Sequence, residues 1–387
     1  MKKSTSTWFI IGIFMLAACM RAPFTSLPSI ITQLASAVHQ PVASLGILTT
    51  IPLICFAILS TFIPTFSRKW GMELTLMGAL ILMAIGSAFR IINYPMLLMG
   101  TVLIGIAATV LNVLTPAIIT ERTPEKIGTL TGMYSFSLTF FSAVGAYVIS
   151  PVTNAVNWQM GINVLTALVI ITILIWVPNL RQRGREQQPT TVNPTGSLWT
   201  NARAWWLLIF FGFQSFLFYT LVAWLPAITM AGGLSNTEAS LVASGFQLFS
   251  LPAAFIVPAI TPKIQRRYWL VIGTGILYLI GFGMLLVPHA SLAYYLLTSF
   301  ILGTGCAAAF GLVITLFGLK TNSPTQTGQL SGMVQAGGYV IAAFGPVVIG
   351  NLQAATNWTT AIFFAIIIIG IMTFFGILSE RHNNINN

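Results

Sequence analysis

The sequence predicts an all-α polytopic membrane protein of twelve transmembrane helices arranged as two six-helix repeats. Composition, run length and an internal repeat predict it. Of the 387 residues, 56% are hydrophobic and 6% charged; a soluble domain carries about 25% charged residues. So little charge suits a surface solvated by lipid. Twelve apolar runs lie near 8–36, 43–66, 72–92, 95–119, 127–150, 159–178, 204–230, 238–261, 269–288, 292–318, 328–350 and 358–378. Each has roughly the 20 residues that carry a helix across a hydrocarbon core of about 30 Å. None alternates apolar and polar residues as barrel strands do.

The first run holds the stretch AACMRAPFTSLPSI (Ala17–Ile30), with Arg21, Pro23 and Pro28 inside it. Lys2 and Lys3 flank it on the cytoplasmic side. It is too long for a leader core and lacks a convincing cleavage site, so it reads as a span. Arg21, Thr25 and Ser29 recur at i, i+4 and i+8 and share one helix face. The prolines either kink this span or break it. A break frees carbonyls, which must then meet protein or water. Two readings of Arg21 stand: a snorkelling or structural arginine at the outer interface, or a charge facing a wet cavity. The seventh run, paired with the first through Leu27-Pro28 and Leu225-Pro226, stays apolar to Met230. By that analogy the first helix continues past Pro28 towards Leu34. Arg21 then lies about 20 Å into the span, where charge is tolerated only beside a cavity or a partner.

The second run is followed by the loop SRKWG, with Arg68 and Lys69, and the third ends near Arg90. The fourth carries Asn112 and Thr115, the fifth Tyr134 and Thr139. After the sixth comes the longest polar stretch, Asn179–Ala202, whose Arg, Gln, Pro, Gly and Thr mark a solvated linker. It separates a bundle over 1–178 from a bundle over 203–387. The seventh run offers Gln214, Tyr219 and Trp224, the eighth Ser244 and Gln247, and the eleventh Gln335 and Tyr339. Each alone serves a helix bridge as readily as a ligand. Together they describe a binding site of amides, hydroxyls and aromatic rings around one full charge.

The two bundles repeat one plan. PEKIGTLTGM (Pro124–Met133) matches PTQTGQLSGM (Pro324–Met333), and 12 of the 35 positions from 124 to 158 are identical at an offset of 200. That offset also pairs Asn157-Trp158 with Asn357-Trp358. An offset of 198 pairs Pro64 with Pro262, Arg68-Lys69 with Arg266-Arg267, and Arg21 with Tyr219. Parallel six-plus-six repeats belong to secondary transporters whose substrate site lies near the midplane and whose access alternates.

The net charge is +11, but its distribution argues for topology rather than nucleic acid. With the N-terminus inside, 15 of 17 basic residues fall on the cytoplasmic side, the positive-inside pattern. Both termini are then cytoplasmic. Cys19, Cys55 and Cys306 lie within apolar runs as small packing residues, and His39, His289 and His382 are far apart. No metal, cofactor, nucleophile set or enzyme chemistry is expected. The six acids, Glu73, Glu121, Glu125, Glu186, Glu238 and Glu380, fall at span ends or in polar segments. A cationic solute would lack a counter-charge, so Arg21 favours an anion or a polar ring with an electron-rich group. Coupling is left to the solute's own protonation, to His39 or His289, or to nothing.

MRAPFTSLPSI, NVLTPAIITERTPEKIGTLTGMYS and GFQSFLFYTLVAWLPAITMAGGLSNTEASL resemble the cyanate/nitroimidazole branch of the major facilitator superfamily, and the likeness runs nearly the whole length. The resemblance implies a multi-pass transporter in a bacterial cytoplasmic membrane. It also implies transport of small anions such as cyanate, or export of nitroimidazoles, with Arg21 at the family's first-span arginine. The expected partners are a small, anionic solute and lipid, and the expected state is a monomer. The sequence departs from the wider superfamily at SRKWG, where Arg68 takes a usually acidic position. The fifth span also lacks the Gly-Pro pattern of drug/proton antiporters, to which AFGPVVIG in the eleventh bears some likeness. Efflux of neutral aromatic drugs is the competing function; a sensing receptor on a transporter scaffold would need a signalling domain that the short loops do not offer.

Overall fold

The computed structural model describes residues 7–40, 45, 47–180, 198–288 and 291–381. Among them, all regular structure is helical. The first run forms α1 (Thr7–Thr25), a turn of 3-10 helix (Leu27–Ile30) and α2 (Ile31–Ala37). The second forms α3 (Ile47–Leu59) and α4 (Ile63–Trp70), bent by 70°. Then come α5 (Met72–Phe89), α6 (Tyr94–Arg122), α7 (Ile127–Ala155) and α8 (Trp158–Leu180). The second half begins with α9 (Ala202–Ala231), followed by α10 (Asn236–Phe249) and α11 (Leu251–Ile260). It ends with α12 (Tyr268–Met284), α13 (Leu292–Leu319), α14 (Pro324–Ala355) and α15 (Trp358–Glu380). Among the described residues, ten helical stretches are long and apolar enough to cross a membrane, the bent α3–α4 pair adds an eleventh, and α12 is apolar but shorter. Most of the expected linker, 181–197, lies outside the described residues, as do His289 and His382.

The repeat in the sequence reappears as a repeat in packing. In the first half α1 packs on α6 and α8, α3 and α4 on α6, and α5 on α6 and α8. In the second α9 packs on α13 and α15, α10 and α11 on α13, and α12 on α13 and α15. The equivalent helices therefore make the same pairs. The repeated Asn-Trp also has a local cause. Asn157 Oδ1 accepts from the Met160 amide at 2.8 Å and Asn357 Oδ1 from the Thr360 amide at 2.9 Å. Each caps the helix its tryptophan begins, satisfying an amide that would otherwise lack a partner.

The chain forms two compact units. One comprises Met1–Lys126, Met133–Thr195 and Ser323–Gly332; the other Ile127–Gly132, Gly196–Asn322 and Met333–Asn387. The first turns of α7 and α14 thus each belong with the opposite repeat. Glycine permits this. A Cβ at Gly132 would stand 2.6 Å from the Phe255 carbonyl, and one at Gly332 would stand 2.6 Å from the Ser60 carbonyl. The paired TGM and SGM sequences are places where one backbone must touch another.

One expectation is corrected. The first helix does not run through Pro28 as the seventh run suggested. α9 carries Pro226 alone and continues to Ala231, whereas α1 carries Pro23 and ends at Thr25 before Pro28. Two prolines five positions apart remove two ladder donors within one and a half turns, and the helix yields at the second.

Candidate functional site

The binding face proposed from sequence begins at the end of α1. Arg21 and Thr25 are half-buried. Thr25 Oγ1 donates to the Arg21 carbonyl at 2.9 Å and lies 2.8 Å from Ser142 Oγ on α7. Ser29 continues the chain in the 3-10 turn, and its side chain lies outside the described residues.

Behind this turn three helices share one buried polar junction. The Tyr134 hydroxyl of α7 lies 3.1 Å from Asn112 Oδ1 of α6 and 3.2 Å from Met20 Sδ of α1. Tyr134 and Asn112 are buried. A hydroxyl and an amide in hydrocarbon each need a partner, and here they serve one another. Met20 immediately precedes Arg21, so the junction fixes the register of the turn that carries the charge. Thr115 and Thr139 instead donate to carbonyls of their own helices, at Leu111 and Ser135.

In the second unit, Gln214 on α9 is buried; its Nε2 donates to the Cys306 carbonyl of α13 at 3.5 Å and its Oε1 accepts from Ser215 Oγ at 3.2 Å. Tyr339 on α14 is buried edge-on against Phe211, with ring centroids 5.3 Å apart. Gln335, one turn earlier, is also buried. Tyr219 is half-buried beside Phe218. Trp224 is half-buried and works as a brace: its Nε1 donates to the Pro346 carbonyl at 2.8 Å and its ring meets Trp358 at 5.7 Å. On α10, Gln247 is half-buried and its backbone carbonyl accepts from Ser250 Oγ, while Ser244 is exposed and donates to Ser240. Of the sequence-named residues of the first unit, Asn112 and Tyr134 meet directly, Arg21 and Thr25 follow Met20 on α1, and those of the second unit are spread along α9, α10 and α14.

Among the described residues the acids stand at helix ends, as the sequence placed them, but two have buried side chains there. Glu73 pairs with Arg122, whose guanidinium also lies over the Phe9 ring at 5.2 Å. Trp176 Nε1 donates to the Glu73 carbonyl at 3.1 Å, tying α8 to the same point. Glu380 pairs with Lys320 at 3.0 Å, both side chains only 3% exposed. Each carboxylate is neutralised by a base at the end of α6 or α13. Arg68, the departure in SRKWG, is exposed and lines a cavity of about 70 Å³ with Ser67, Leu114 and Thr325.

Sequence reasoning missed Met20, Ser142 and above all Arg90. Arg90 is 1% exposed and bonded to both α1 and α6. Its signal was present: it is the one basic residue near the outer side, where the positive-inside pattern gives it no role.

The chain matches the model described as Major Facilitator Superfamily over residues 9–346. It is 34% identical to the "Uncharacterized transporter YycB" of Bacillus subtilis (strain 168), covering 93% of this chain and 90% of that one. It is 30% identical to the "2-nitroimidazole transporter" of Escherichia coli (strain K12), covering 97% and 96%. To the "Cyanate transport protein CynX" of the same organism it is 24% identical, covering 91% and 92%.

Proposed function

This chain belongs to the major facilitator superfamily, and we propose that it moves a small anionic or polar solute, cyanate-like, across the membrane by alternating access. Arg21 is the observation that carries the proposal. It is a half-buried guanidinium inside an apolar span, one turn from the Thr25 hydroxyl, in a chain whose described carboxylates all stand at helix ends. Charge in hydrocarbon is retained where it has a task. A guanidinium offers a planar fork of donors suited to compact anions. Thr25 adds a hydroxyl, and the Asn112–Tyr134 pair holds the turn from behind. The relative named for cyanate supports the same chemistry.

A second reading is efflux of neutral aromatic drugs such as nitroimidazoles. The relative named for 2-nitroimidazole favours it, being matched over nearly its whole length. On that reading aromatic side chains carry the contact, Tyr219 supplying a half-buried ring, and Arg21 is structural. On either reading the protein sits in a bacterial cytoplasmic membrane with both termini inside, as the basic residues argue, and works as a monomer.

The test is flux in proteoliposomes. With radiolabelled cyanate, the wild type takes up label and Arg21→Ala does not. An Arg21→Ala variant that transports cyanate like the wild type overturns the assignment. Export of 2-nitroimidazole that ignores Arg21→Ala but falls with Tyr219→Ala favours the second reading.

A further inference from the structure

Arg90 follows the last residue of α5 and is enclosed by α1, α5 and α6. Its Nε donates to Thr101 Oγ1 at 3.1 Å, and Nη1 donates to the Pro23 carbonyl. Nη2 is buried without a hydrogen-bond partner. Neither ion pair found among the described residues, Arg122–Glu73 or Lys320–Glu380, includes it. A buried guanidinium without a carboxylate opposes folding, so what it does for the chain must be sought at its partners.

The partner that stands out is the Pro23 carbonyl. In an unbroken helix that oxygen would accept from the amide of Leu27, four residues on. Here α1 stops at Thr25 and Leu27 opens the 3-10 turn. Arg90 supplies a donor to the buried last turn of the helix. A cation there is also favoured by the negative end of the helix dipole. The side chain reaches this point because α5 and α6 cross at glycines. A Cβ on Gly100 would stand 2.9 Å from Arg90 Cγ and 2.3 Å from the Gly86 carbonyl. Pro23 lies between Arg21 and Thr25, on the turn assigned to the solute.

We propose that Arg90 is a positioning residue for this turn: by holding the Pro23 carbonyl where the helix breaks, it sets the direction in which Arg21 and Thr25 are presented. The proposal rests on the reading of Arg21 as the anchor. It places Arg90 outside contact with solute.

The experiment uses the full chain, with radiolabelled cyanate in proteoliposomes and amide hydrogen exchange on the same purified protein without solute. Arg90→Gln raises KM about tenfold, the scale of one lost charge-assisted hydrogen bond, and leaves turnover within about twofold. Arg90→Lys, which keeps a donor and the charge, recovers part of that loss. Exchange over 24–31 quickens about tenfold in Arg90→Gln, while α9–α15 keep their protection. Wild-type protection over 24–31, or a fall in turnover at unchanged KM, overturns the proposal. Where Arg90→Gln fails to fold, Thr101→Val removes the Nε acceptor and shifts KM and exchange the same way, less far. If the wild type moves no cyanate, the anion reading falls, and exchange over 24–31 decides the role of Arg90 by itself.

Discussion

Replacing Gly100 by alanine tests the close crossing of α5 and α6. The new methyl carbon would sit 2.3 Å from the Gly86 carbonyl oxygen, with Arg90 Cγ at 2.9 Å. A carbon and a carbonyl oxygen rest no closer than about 3.3 Å, so α5 and α6 must part by roughly 1 Å. The first obstacle is backbone and has no rotamer to change. Overpacking of this kind costs about 1–3 kcal/mol, and alanine's better helix propensity returns up to about 1 kcal/mol. The net loss is then about 1–2 kcal/mol, read as a fall of ~1–3 °C in the thermal midpoint of the purified protein. Gly78 is the control. It lies on α5, the helix that crosses Gly100, is exposed, and an added Cβ there meets nothing within 4 Å. Gly78→Ala keeps or raises the midpoint. Should Gly100→Ala match Gly78→Ala, the close approach of α5 to α6 is wrong, and with it the seat of Arg90.

Tyr134→Phe removes the hydroxyl 3.1 Å from Asn112 Oδ1 and lowers stability by about 1–2 kcal/mol. Thr139→Val, which gives up only a bond to its own helix at Ser135, costs visibly less in the same melting assay. Glu73→Leu strips the partner from Arg122, whose side chain is 14% exposed; the loss is about 3–5 kcal/mol, and adding Arg122→Leu restores much of it. A double-mutant cycle on these two positions that shows simple additivity would argue against the pair.

Lipid makes the architecture easy to read. A backbone that must satisfy itself inside hydrocarbon becomes a helix of about 20 residues, so runs such as 159–178 reappear almost unchanged as α8, Trp158–Leu180. The repeat was legible because Pro, Gly and Asn-Trp have positional causes: caps at Asn157 and Asn357, and close approaches at Gly132 and Gly332. The family resemblance seen in the first, fourth-to-fifth and seventh-to-eighth spans agrees with the relatives the chain matches. The break at Pro28 was not legible by analogy, because Pro226 has no second proline behind it. Pairing across helices was not legible at all. Nothing local to Glu73, Trp224 or Arg90 says that each will be held by a group 49, 122 or 67 residues away. Residues named for a site from polarity alone include both bridges, such as Trp224, and half-buried groups, such as Arg21 and Thr25.

The central claim is that Arg21 meets the charge of the solute. The direct measurement is KM for cyanate and for 2-nitroimidazole in proteoliposomes containing wild type or Arg21→Gln. Losing a charge-assisted contact of about 2 kcal/mol raises KM for the anion roughly 30-fold and leaves the neutral ring within about threefold. Equal shifts for both solutes, or no shift for cyanate, would contradict the account.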